Sequence, residues 1–562
     1  MRGAVALFAV LALLVACSPH TRAPLPTPAP VTAEVPFETP QATGTFRYAI
    51  AEPSAIVPPL ATEPDGLAVV DALFDSLTAY DRALRVVPAA AESWRFDQPD
   101  TWTFTLRAGA TFHDGSPVTA ADFKFAWERA VRSDLAGYHL RDVQGYEALR
   151  SGKATELAGV TAIDDLTLQV KLSGPFADFP AVVAHPALGP VSRAAWQANE
   201  SAYRERPIGN GPFRIDGTWE HGQFIRLARF DSWADGPVAS IDEVLFRISD
   251  PDTAYLAFQQ GRFDFAPVPA GALTEAERDF PPSSEAGDLG PGLLSGPTPT
   301  LYFLGFNVTR PPFDDVEVRR ALSSAINREA LAMQTLEGDV SVSRAAVPPP
   351  IPGARPIVCR SCTYEPDEAR RIFAERKIAT LDLWLNRGGG HEQVAERIEQ
   401  DLAEVGVQLV VHSEPPPPEG TFGAYLDVLA SGEAGLFRFG WTTEYPTMDA
   451  ALRPLFHSTS TPANGGENYM RYANPQVDAL LDQARATTDE SARRSLYQQA
   501  ERIAVGNDQA IIPLFTYRHR WVAARRAINL YLSPFGLLNL AEIRLQSADP
   551  GTAAGRPVRG TL

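Results

Sequence analysis

The stretch TLDLWLNRGGGHEQVAERIEQDLAEVGVQLVVH, residues Thr380 to His412, decides the class of the fold. It reads as a strand, a glycine-rich loop, a helix and a second strand, which is the order of a βαβ unit. A second stretch, Gly159 to Leu172, alternates apolar and polar residues around an Asp-Asp turn, as half-buried strands do. Together these stretches predict a mixed α/β protein.

Length and charge limit the architecture and the partners. Single hydrophobic cores stop growing at roughly 250–300 residues, so a chain of 562 residues predicts at least two lobes. The composition, with 45% apolar and 21% charged residues, is typical of soluble proteins. The net charge of -18, without a cluster of basic residues, argues against nucleic acid as a partner.

The first 43 residues differ from the rest of the chain. An apolar run from Ala4 to Ala16 follows Arg2; it is short for a membrane span and suits a secretory signal. The run ends in LVAC, which resembles the bacterial lipobox, so Cys17 is the predicted lipidation site; the alternative is a plain signal with a chance cysteine. Residues 18–43 are rich in proline and predict an extended tether. We therefore expect an extracytoplasmic protein anchored to the cell membrane.

Two further cysteines, Cys359 and Cys362, lie in the sequence CRSC. A zinc site lacks further ligands here, and a redox motif lacks its βαβ context, so a local disulfide is the preferred interpretation outside the cytoplasm. The nine histidines are scattered. We therefore expect neither a metal site nor a cofactor. The loop Gly388 to His391 could bind an anion at a helix start, but a tight turn is the favoured interpretation.

The stretch FHDGSPVTAADF, residues 112–123, raises the question of a hydrolytic site. The residues before it alternate as a strand, the sequence HDG favours a turn, and Thr119 to Asp122 resembles a capping box before a helix. A catalytic triad brings separated residues together, whereas His113, Asp114 and Ser116 are near neighbours. The sequence therefore predicts a structural turn, and the chain is not expected to be an enzyme.

Five motifs in register resemble the family 5 extracellular solute-binding proteins, the oligopeptide-, dipeptide- and nickel-binding lipoproteins of ABC importers. The resemblance runs from about Gly44 to about Leu545. The motifs are Pro88 to Ala130, Arg206 to Ile215 (RPIGNGPFRI), Ala239 to Phe265, Leu304 to Leu331 and Tyr472 to Ala484.

This resemblance implies the large, three-subdomain variant of the type II periplasmic-binding-protein fold, with a hinge and a cleft between two lobes. Lobe one is expected over residues 44–300, including an extra subdomain at about 66–189. Lobe two is expected over residues 301–508. Residues 509–546 are expected to return to lobe one, with Gln509 to Ala524 as strands there, and residues 547–562 form a tail.

The family resemblance also implies where a solute binds. The segment RFGWTTEYPTMD, residues 438–449, matches the part of the family's peptide binders whose aspartate pairs with the peptide's α-ammonium. Glu444 stands at that aspartate here. Glu52 matches a family residue that lines the cleft from lobe one. The alternative is a purely structural role, in which this segment is a strand end and a loop whose aromatic residues pack in the protein interior. The predicted ligand-binding residues are Glu52, Arg438, Gly440, Trp441, Thr442, Glu444 and Tyr445.

The predicted function follows from the resemblance. A monomeric lipoprotein captures a peptide-like solute and delivers it to an ABC permease. Oligosaccharides, nickel complexes and tetrapyrroles remain alternative solutes, since all occur in this family. A secreted hydrolase or redox enzyme, or a receptor or chaperone without transport, are the remaining alternatives.

Overall fold

The computed structural model describes residues 44–97, 99–133, 135–280, 292–413 and 422–546. The predicted signal peptide, the lipidation site Cys17, the tether and the C-terminal tail lie outside these residues. No helix in the described ranges is long and apolar enough to cross a bilayer. The same ranges contain no group of three or more metal-ligating side chains.

The strands are, in chain order, β1 (Thr45–Ile50), β2 (Thr78–Tyr80), β3 (Val86–Pro88), β4 (Ala91–Asp97), β5 (Thr101–Leu106), β6 (Val160–Asp164), β7 (Thr167–Lys171), β8 (Phe213–Ile215), β9 (Phe224–Arg229), β10 (Glu243–Ile248), β11 (Phe265–Pro267), β12 (Gly292–Leu294), β13 (Pro297–Phe306), β14 (Val340–Val342), β15 (Thr380–Leu385), β16 (Gln408–Ser413), β17 (Leu436–Thr442), β18 (Ile511–Arg518), β19 (Trp521–Ala523), β20 (Ala527–Ile528) and β21 (Arg544–Leu545).

The α-helices are α1 (Pro64–Leu73), α2 (Ala120–Ser133), α3 (Tyr146–Arg150), α4 (Phe179–Val182), α5 (Arg193–Ala198), α6 (Glu200–Glu205), α7 (Pro251–Gln259), α8 (Leu273–Asp279), α9 (Val316–Ala325), α10 (Arg328–Ala330), α11 (Pro366–Arg376), α12 (His391–Glu404), α13 (Phe422–Ser431), α14 (Met448–Phe456), α15 (Pro475–Ala486) and α16 (Glu490–Glu501).

Three larger sheets organise these elements. One sheet has the order β12-β19-β11-β1-β10-β9-β8, a second β4-β5-β7-β6, and a third β14-β18-β13-β17-β15-β16. We call the first two sheets with their helices lobe one, and the third sheet with its helices lobe two. Parallel and antiparallel strand pairs occur together in the first and third sheets, which confirms the mixed α/β class.

The βαβ unit predicted from residues 380–412 is present. Strands β15 and β16 pair in parallel from Thr380↔Gln408 to Leu385↔Ser413, and α12 connects them. Leu381, Leu383 and Leu385 are buried on β15, and α12 buries Ile398 and Leu402 against the sheet. The alternation of the strand and the helical spacing of α12 thus meet in one core.

Strand β18 corrects the predicted return to lobe one. It pairs antiparallel with β13 and β14, so it belongs to the sheet of lobe two. Only β19, three residues further on, joins β11 and β12 in lobe one. The residues of β18 are nearly all buried, and β18 fills the gap between β13 and β14. The chain therefore crosses between the lobes after residue 518.

The HDG stretch has the predicted structural role. Gly115 has a φ of 85°, which glycine adopts without strain, and Ser116 donates to the Asp114 carboxylate at 2.6 Å. The Asp122 carboxylate accepts from the main-chain N–H of Thr119 at 3.0 Å where α2 begins. His113 Nδ1 accepts from Gly209 N at 3.1 Å. The three residues of the suspected triad thus hold a turn against the RPIGNGPFRI motif.

Cys359 and Cys362 are joined by a disulfide, and both are buried in the core of lobe two. The side chain of Arg328, which is 1% exposed, packs against this disulfide. Its guanidinium donates to Cys362 Sγ at 3.2 Å and to the main-chain oxygen of Pro513 at 2.8 Å. Burial lowers the pKa of Arg328 to about 9. Main-chain oxygens satisfy this cation in place of a carboxylate.

Asp264 joins three distant parts of lobe one. It is fully buried and accepts hydrogen bonds from the guanidinium groups of Arg47 and Arg526 at 2.7–2.9 Å. Burial raises the pKa of Asp264, but the two arginines outweigh it and hold the pKa below its ordinary value. A lowered carboxyl pKa contributes stability that is present above pH 4 and lost as the pH falls through the folded-state pKa.

The variant Asp264→Asn is expected to reduce the free energy of unfolding by about 3–5 kcal/mol, because two guanidinium groups lose their buried partner. Urea unfolding at pH 7 measures the loss, which shrinks as the pH is lowered below 4. The control is Asp231→Asn, which removes an exposed partner of Arg229 and is expected to cost about 0–1 kcal/mol. Equal midpoints for the two variants would contradict the assignment.

Candidate functional site

The strand directions of lobe two define one end of its sheet. Strands β15 and β17 run parallel, and both β17 and β18 run antiparallel to β13. The carboxyl ends of β15, β17 and β18 therefore lie at the same end of the sheet. In open α/β sheets, ligands bind in the crevice outside such carboxyl ends. The predicted segment, residues 438–445, occupies the end of β17 and the loop that follows it.

One edge of β17 is open at this end. Strand β15 pairs with β17 at Leu436 and Phe437, and the described register between them stops there. The Tyr425 hydroxyl donates to the main-chain oxygen of Arg438 at 2.6 Å and reaches that of Trp384, so this oxygen faces the β15 side. Main-chain groups of alternate residues face the same edge, so those of Gly440 and Thr442 face it too.

Arg438 lies on the α12 face of the sheet. Its Nη1 donates to Asn386 Oδ1 at 3.0 Å, and its guanidinium stacks 4.9 Å from the ring centre of Tyr302. Burial, with the nearby Arg438, lowers the pKa of His391 to about 4, so this imidazole is neutral at pH 7. Arg438 Nε and His391 Nδ1 are buried without a hydrogen-bond partner in the described structure. These two nitrogens leave hydrogen-bonding capacity unused.

A cavity of about 300 Å³ opens at the same end of the sheet, and Tyr302, on which Arg438 stacks, forms part of its wall. Its walls combine charged, polar and aromatic side chains with the glycines at the start of α12, namely Tyr302, Thr335, Leu336, Glu337, Asp339, Val340, Gly389, Gly390, Gln393, Val394, Phe515, Tyr517, Arg518 and Arg520.

The aromatic residues of the predicted segment pack against protein. Trp441 Nε1 donates to the main-chain oxygen of Ala450 at 2.7 Å. Tyr445 is 6% exposed and packs into the core of lobe one, with its ring 6.5 Å from that of Phe176. Thr442 is exposed and its hydroxyl lies 3.0 Å from that of Thr300. The packing alternative therefore describes Trp441 and Tyr445 in this structure, whereas Thr442 faces solvent.

Glu444 meets lobe one across the gap between the lobes. The Tyr138 hydroxyl donates to its Oε1 at 2.7 Å, and His139 Nδ1 lies 3.7 Å from its Oε2. The Glu444 side chain remains 31% exposed. Burial raises the pKa of Glu444, while Tyr138 and Arg141 oppose that rise. Burial holds the pKa of His139 well below its usual range, so His139 is neutral and is no counter-ion for Glu444.

Sequence reasoning missed Tyr138, Arg141 and Glu467 as neighbours of this carboxylate. Glu467 lies on another loop of lobe two; burial raises its pKa and Arg141 opposes the rise. Tyr138 and Glu444 are 306 positions apart in the chain. A single sequence carries no signal for a contact between two lobes at such a separation.

A buried ionic network joins the lobes next to this site. Arg485 contacts Asp142 of lobe one at 2.9 Å and Asp449 of lobe two at 3.4 Å. Arg493 contacts Asp178 of lobe one at 2.8 Å. Burial raises the pKa of Asp142, but the adjacent Arg485 outweighs it and the net shift is downward. Arginines of α15 and α16 thus hold the extra subdomain of lobe one against lobe two.

Glu52 does not lie with the other predicted ligand-binding residues; its contacts are with residues of lobe one. Its carboxylate accepts from Gly222 N at 2.8 Å and lies 2.7 Å from His221 Nδ1, and His221 also contacts Glu205 at 2.9 Å. Within the described residues, no hydrogen bond or ion pair connects Glu52 to residues 438–445. The structure therefore brings Arg438, Gly440, Trp441, Thr442, Glu444 and Tyr445 together at one sheet end and leaves Glu52 within lobe one.

Two α/β lobes with convergent polar groups at the gap between them define a solute-binding protein of the two-lobed class. Residues 85–463 match the family described as bacterial extracellular solute-binding proteins, family 5 Middle. The chain belongs to this family.

Relatives agree with this assignment, and a solved structure agrees with the fold. The chain is 30% identical over 458 residues to the glutathione-binding protein GsiB of Shigella dysenteriae, covering 80% of this chain and 84% of that protein. It is 28% identical over 513 residues to the dipeptide-binding protein DppE of Bacillus subtilis, covering 87% and 89%. The structure of HbpA2 from Haemophilus parasuis superposes with a TM-score of 0.77 at 23% identity, covering 90% of this chain and 100% of that chain. The predicted family and the predicted two-lobed fold are confirmed.

Asp178 makes the interlobe network sensitive to pH. Burial raises its pKa to about 6; Arg493 opposes that rise, and the nearby Asp449 adds to it. Since the ordinary value is near 4, the folded state holds a proton between about pH 4 and pH 6 that the unfolded state has lost. Stability from this group is therefore present at pH 4 and lost as the pH rises through 6.

In the parent, the free energy of unfolding is expected to fall by about 2–3 kcal/mol between pH 4 and pH 6.5 through this group. Asp178→Asn is expected to lack this component, because asparagine does not titrate. Urea midpoints of both proteins across this pH range measure the difference. The exposed Asp482→Asn serves as the control and should keep the parental slope. A parental slope in Asp178→Asn would refute the assignment.

Proposed function

We propose that the protein captures a short peptide between its lobes, with the peptide's α-ammonium on Glu444. One observation carries this proposal. Glu444 is a partly exposed carboxylate at the gap between the lobes, and among the described residues no lysine or arginine forms an ion pair with it. A charge about 4 Å away contributes up to about 4 kcal/mol at an effective dielectric near 20, before desolvation is subtracted.

The open edge of β17 supports a peptide as the solute. The main-chain groups of Gly440 and Thr442 face this edge and provide donors and acceptors for an extended main chain, as in β-strand addition. Such contacts do not depend on the side chains of the ligand. Oligosaccharides, nickel complexes and tetrapyrroles have no peptide main chain to use them.

Arg438 supports an anionic group at the other end of the ligand. Arg438 and His391 keep buried nitrogens without described partners, and Arg438 stacks on Tyr302, which forms part of the cavity wall. Arg438 and Glu444 are six positions apart, which is at most roughly 20 Å along an extended chain. A peptide of a few residues therefore fits between an ammonium at Glu444 and a carboxylate at Arg438. Glutathione and dipeptides, for which GsiB and DppE are named, are peptides of this length.

The transport role completes the proposal. The protein works as a monomer that delivers its peptide to an ABC permease on the extracytoplasmic side of the cell membrane. The family of solute-binding proteins supports this role. The lipobox-like sequence at Cys17 supports attachment through a lipid, and the proline-rich residues 18–43 support a tether between the anchor and the lobes.

Glu444→Gln is expected to weaken binding of a free peptide by about 30-fold or more, because the ammonium loses its charged partner. Calorimetry with glutathione and dialanine as probes measures the change. The N-acetylated forms of both probes should bind the parent as weakly as the free peptides bind Glu444→Gln. The matched control is Glu399→Gln, on the exposed face of α12. Absence of binding to a broad peptide panel would refute the proposed function, whereas unchanged affinity in Glu444→Gln would refute only its ammonium site.

The variant Cys17→Ala is expected to abolish incorporation of labelled palmitate and to move the protein from the membrane fraction to the soluble extracytoplasmic fraction, since the thiol carries the lipid. Ser18→Ala is the control and should stay in the membrane fraction. Labelled lipid on Cys17→Ala would contradict the assignment of the anchor.

A further inference from the structure

Arg141 of lobe one lies between two residues that contact lobe two. Tyr138, three residues before it, donates to Glu444, and Asp142, directly after it, pairs with Arg485. The main-chain N–H of Arg141 donates to the Tyr138 oxygen at 3.2 Å, which closes the turn that holds these residues together. Arg141 is therefore fixed by its neighbours at the gap between the lobes.

The guanidinium of Arg141 has no direct partner in the described structure. The side chain is exposed, and no hydrogen bond or ion pair joins it to a described residue. Its charge nevertheless acts on both nearby carboxylates, because it lowers the pKa of Glu444 and of Glu467 against the stronger effect of burial. Arg141 therefore lies in the turn that brings Tyr138 to Glu444, and its guanidinium makes no described hydrogen bond to either carboxylate.

A second group at this site lacks a partner. The side chain of His139 is 2% exposed, and its Nδ1 makes no hydrogen bond within the described structure. This nitrogen lies 3.7 Å from Glu444 Oε2, beyond hydrogen-bonding distance. A buried polar atom without a partner costs free energy, so the site is incomplete as it stands.

We infer that Arg141 is a specificity-determining residue that binds a carboxylate located beside the ligand's ammonium. Glu444 and Arg141 would then hold the two charges of one amino-acid head group from opposite lobes. This inference rests on the proposed function. The ligand class is a peptide whose first residue carries a carboxylate close to its ammonium. Two sources share this chemistry: a γ-linked glutamyl residue, with a free α-carboxylate, and an α-linked acidic residue, with a side-chain carboxylate.

The expected preference for an acidic first residue comes from the free-energy cost of burying Arg141 without an anion. A neutral first residue offers Glu444 its ammonium but offers Arg141 only an uncharged carbonyl. When the lobes close, Arg141 would lose water without gaining a charged partner. Guanidinium groups bind carboxylates through two parallel hydrogen bonds, which adds geometric selectivity. Glu467 is the rival anion within the protein, and its effect can be measured separately.

Three tripeptides test the inference by calorimetry: γ-Glu-Ala-Gly, α-Glu-Ala-Gly and Ala-Ala-Gly. The parent is expected to bind γ-Glu-Ala-Gly about 10-fold or more tightly than Ala-Ala-Gly. Arg141→Met is expected to reduce this preference to about 3-fold or less. Arg95→Met, at an exposed position of β4, is the control and should keep the parental preference. Arg141→Lys should retain part of the preference because it keeps the charge.

The behaviour of α-Glu-Ala-Gly distinguishes the two sources. Affinity equal to that of γ-Glu-Ala-Gly shows that Arg141 accepts either carboxylate, and affinity equal to that of Ala-Ala-Gly assigns the α-carboxylate alone. Glu467→Gln removes the rival anion and should increase the preference for the acidic probes. Equal affinities of all three peptides for the parent, or a preference that survives in Arg141→Met, would overturn the inference and leave the proposed function intact. Failure of all three to bind would count against both.

Discussion

The two crossings between the lobes set the constraint on which the other features depend. The chain passes from β12 to β13 through Gly296 and returns from β18 to β19 through His519. The main-chain N–H of His519 donates to the Gly296 oxygen at 2.8 Å, so the two crossings are tied to each other. Arg520, in the second crossing, also pairs with Asp339 of lobe two. Two short connected segments permit rotation of one lobe against the other far more readily than sliding.

The contacts between the lobes differ in how firmly they are held. Arg485 lies between the carboxylates of Asp142 and Asp449, and its side chain is 12% exposed. Separating the lobes there would leave buried charges without a partner. Glu444, only a few residues from Asp449, remains partly open to solvent and has a neutral hydroxyl as its partner. The interface is therefore strong at the arginines of α15 and α16 and weak at Glu444, where a ligand would enter.

The sequence predicted the local elements well and the long-range ones less well. The βαβ unit and the HDG turn depend on residues that are close together in the sequence. The pattern of these residues was therefore sufficient to predict both elements. Strand β18 was assigned to the wrong lobe, because an apolar run such as IIPLF records that a strand is buried and not which sheet buries it. The candidate site shows the same difference between local patterns and long-range contacts. Segment 438–445 was found through the family resemblance, whereas Arg141 and Glu467 required the folded chain to bring them to Glu444.

The contact between Tyr138 and Glu444 has a thermodynamic consequence for uptake and release. The Tyr138 hydroxyl donates to one carboxylate oxygen of Glu444, so a cation that binds at that oxygen exchanges for the phenol. The affinity for such a cation then reflects the difference between two contacts to the same oxygen atom, and not the strength of one. When the guest departs, the hydroxyl can return and spare the carboxylate a fully unpaired state. The Tyr138 hydroxyl thus lowers the free-energy cost of releasing the solute from the binding protein.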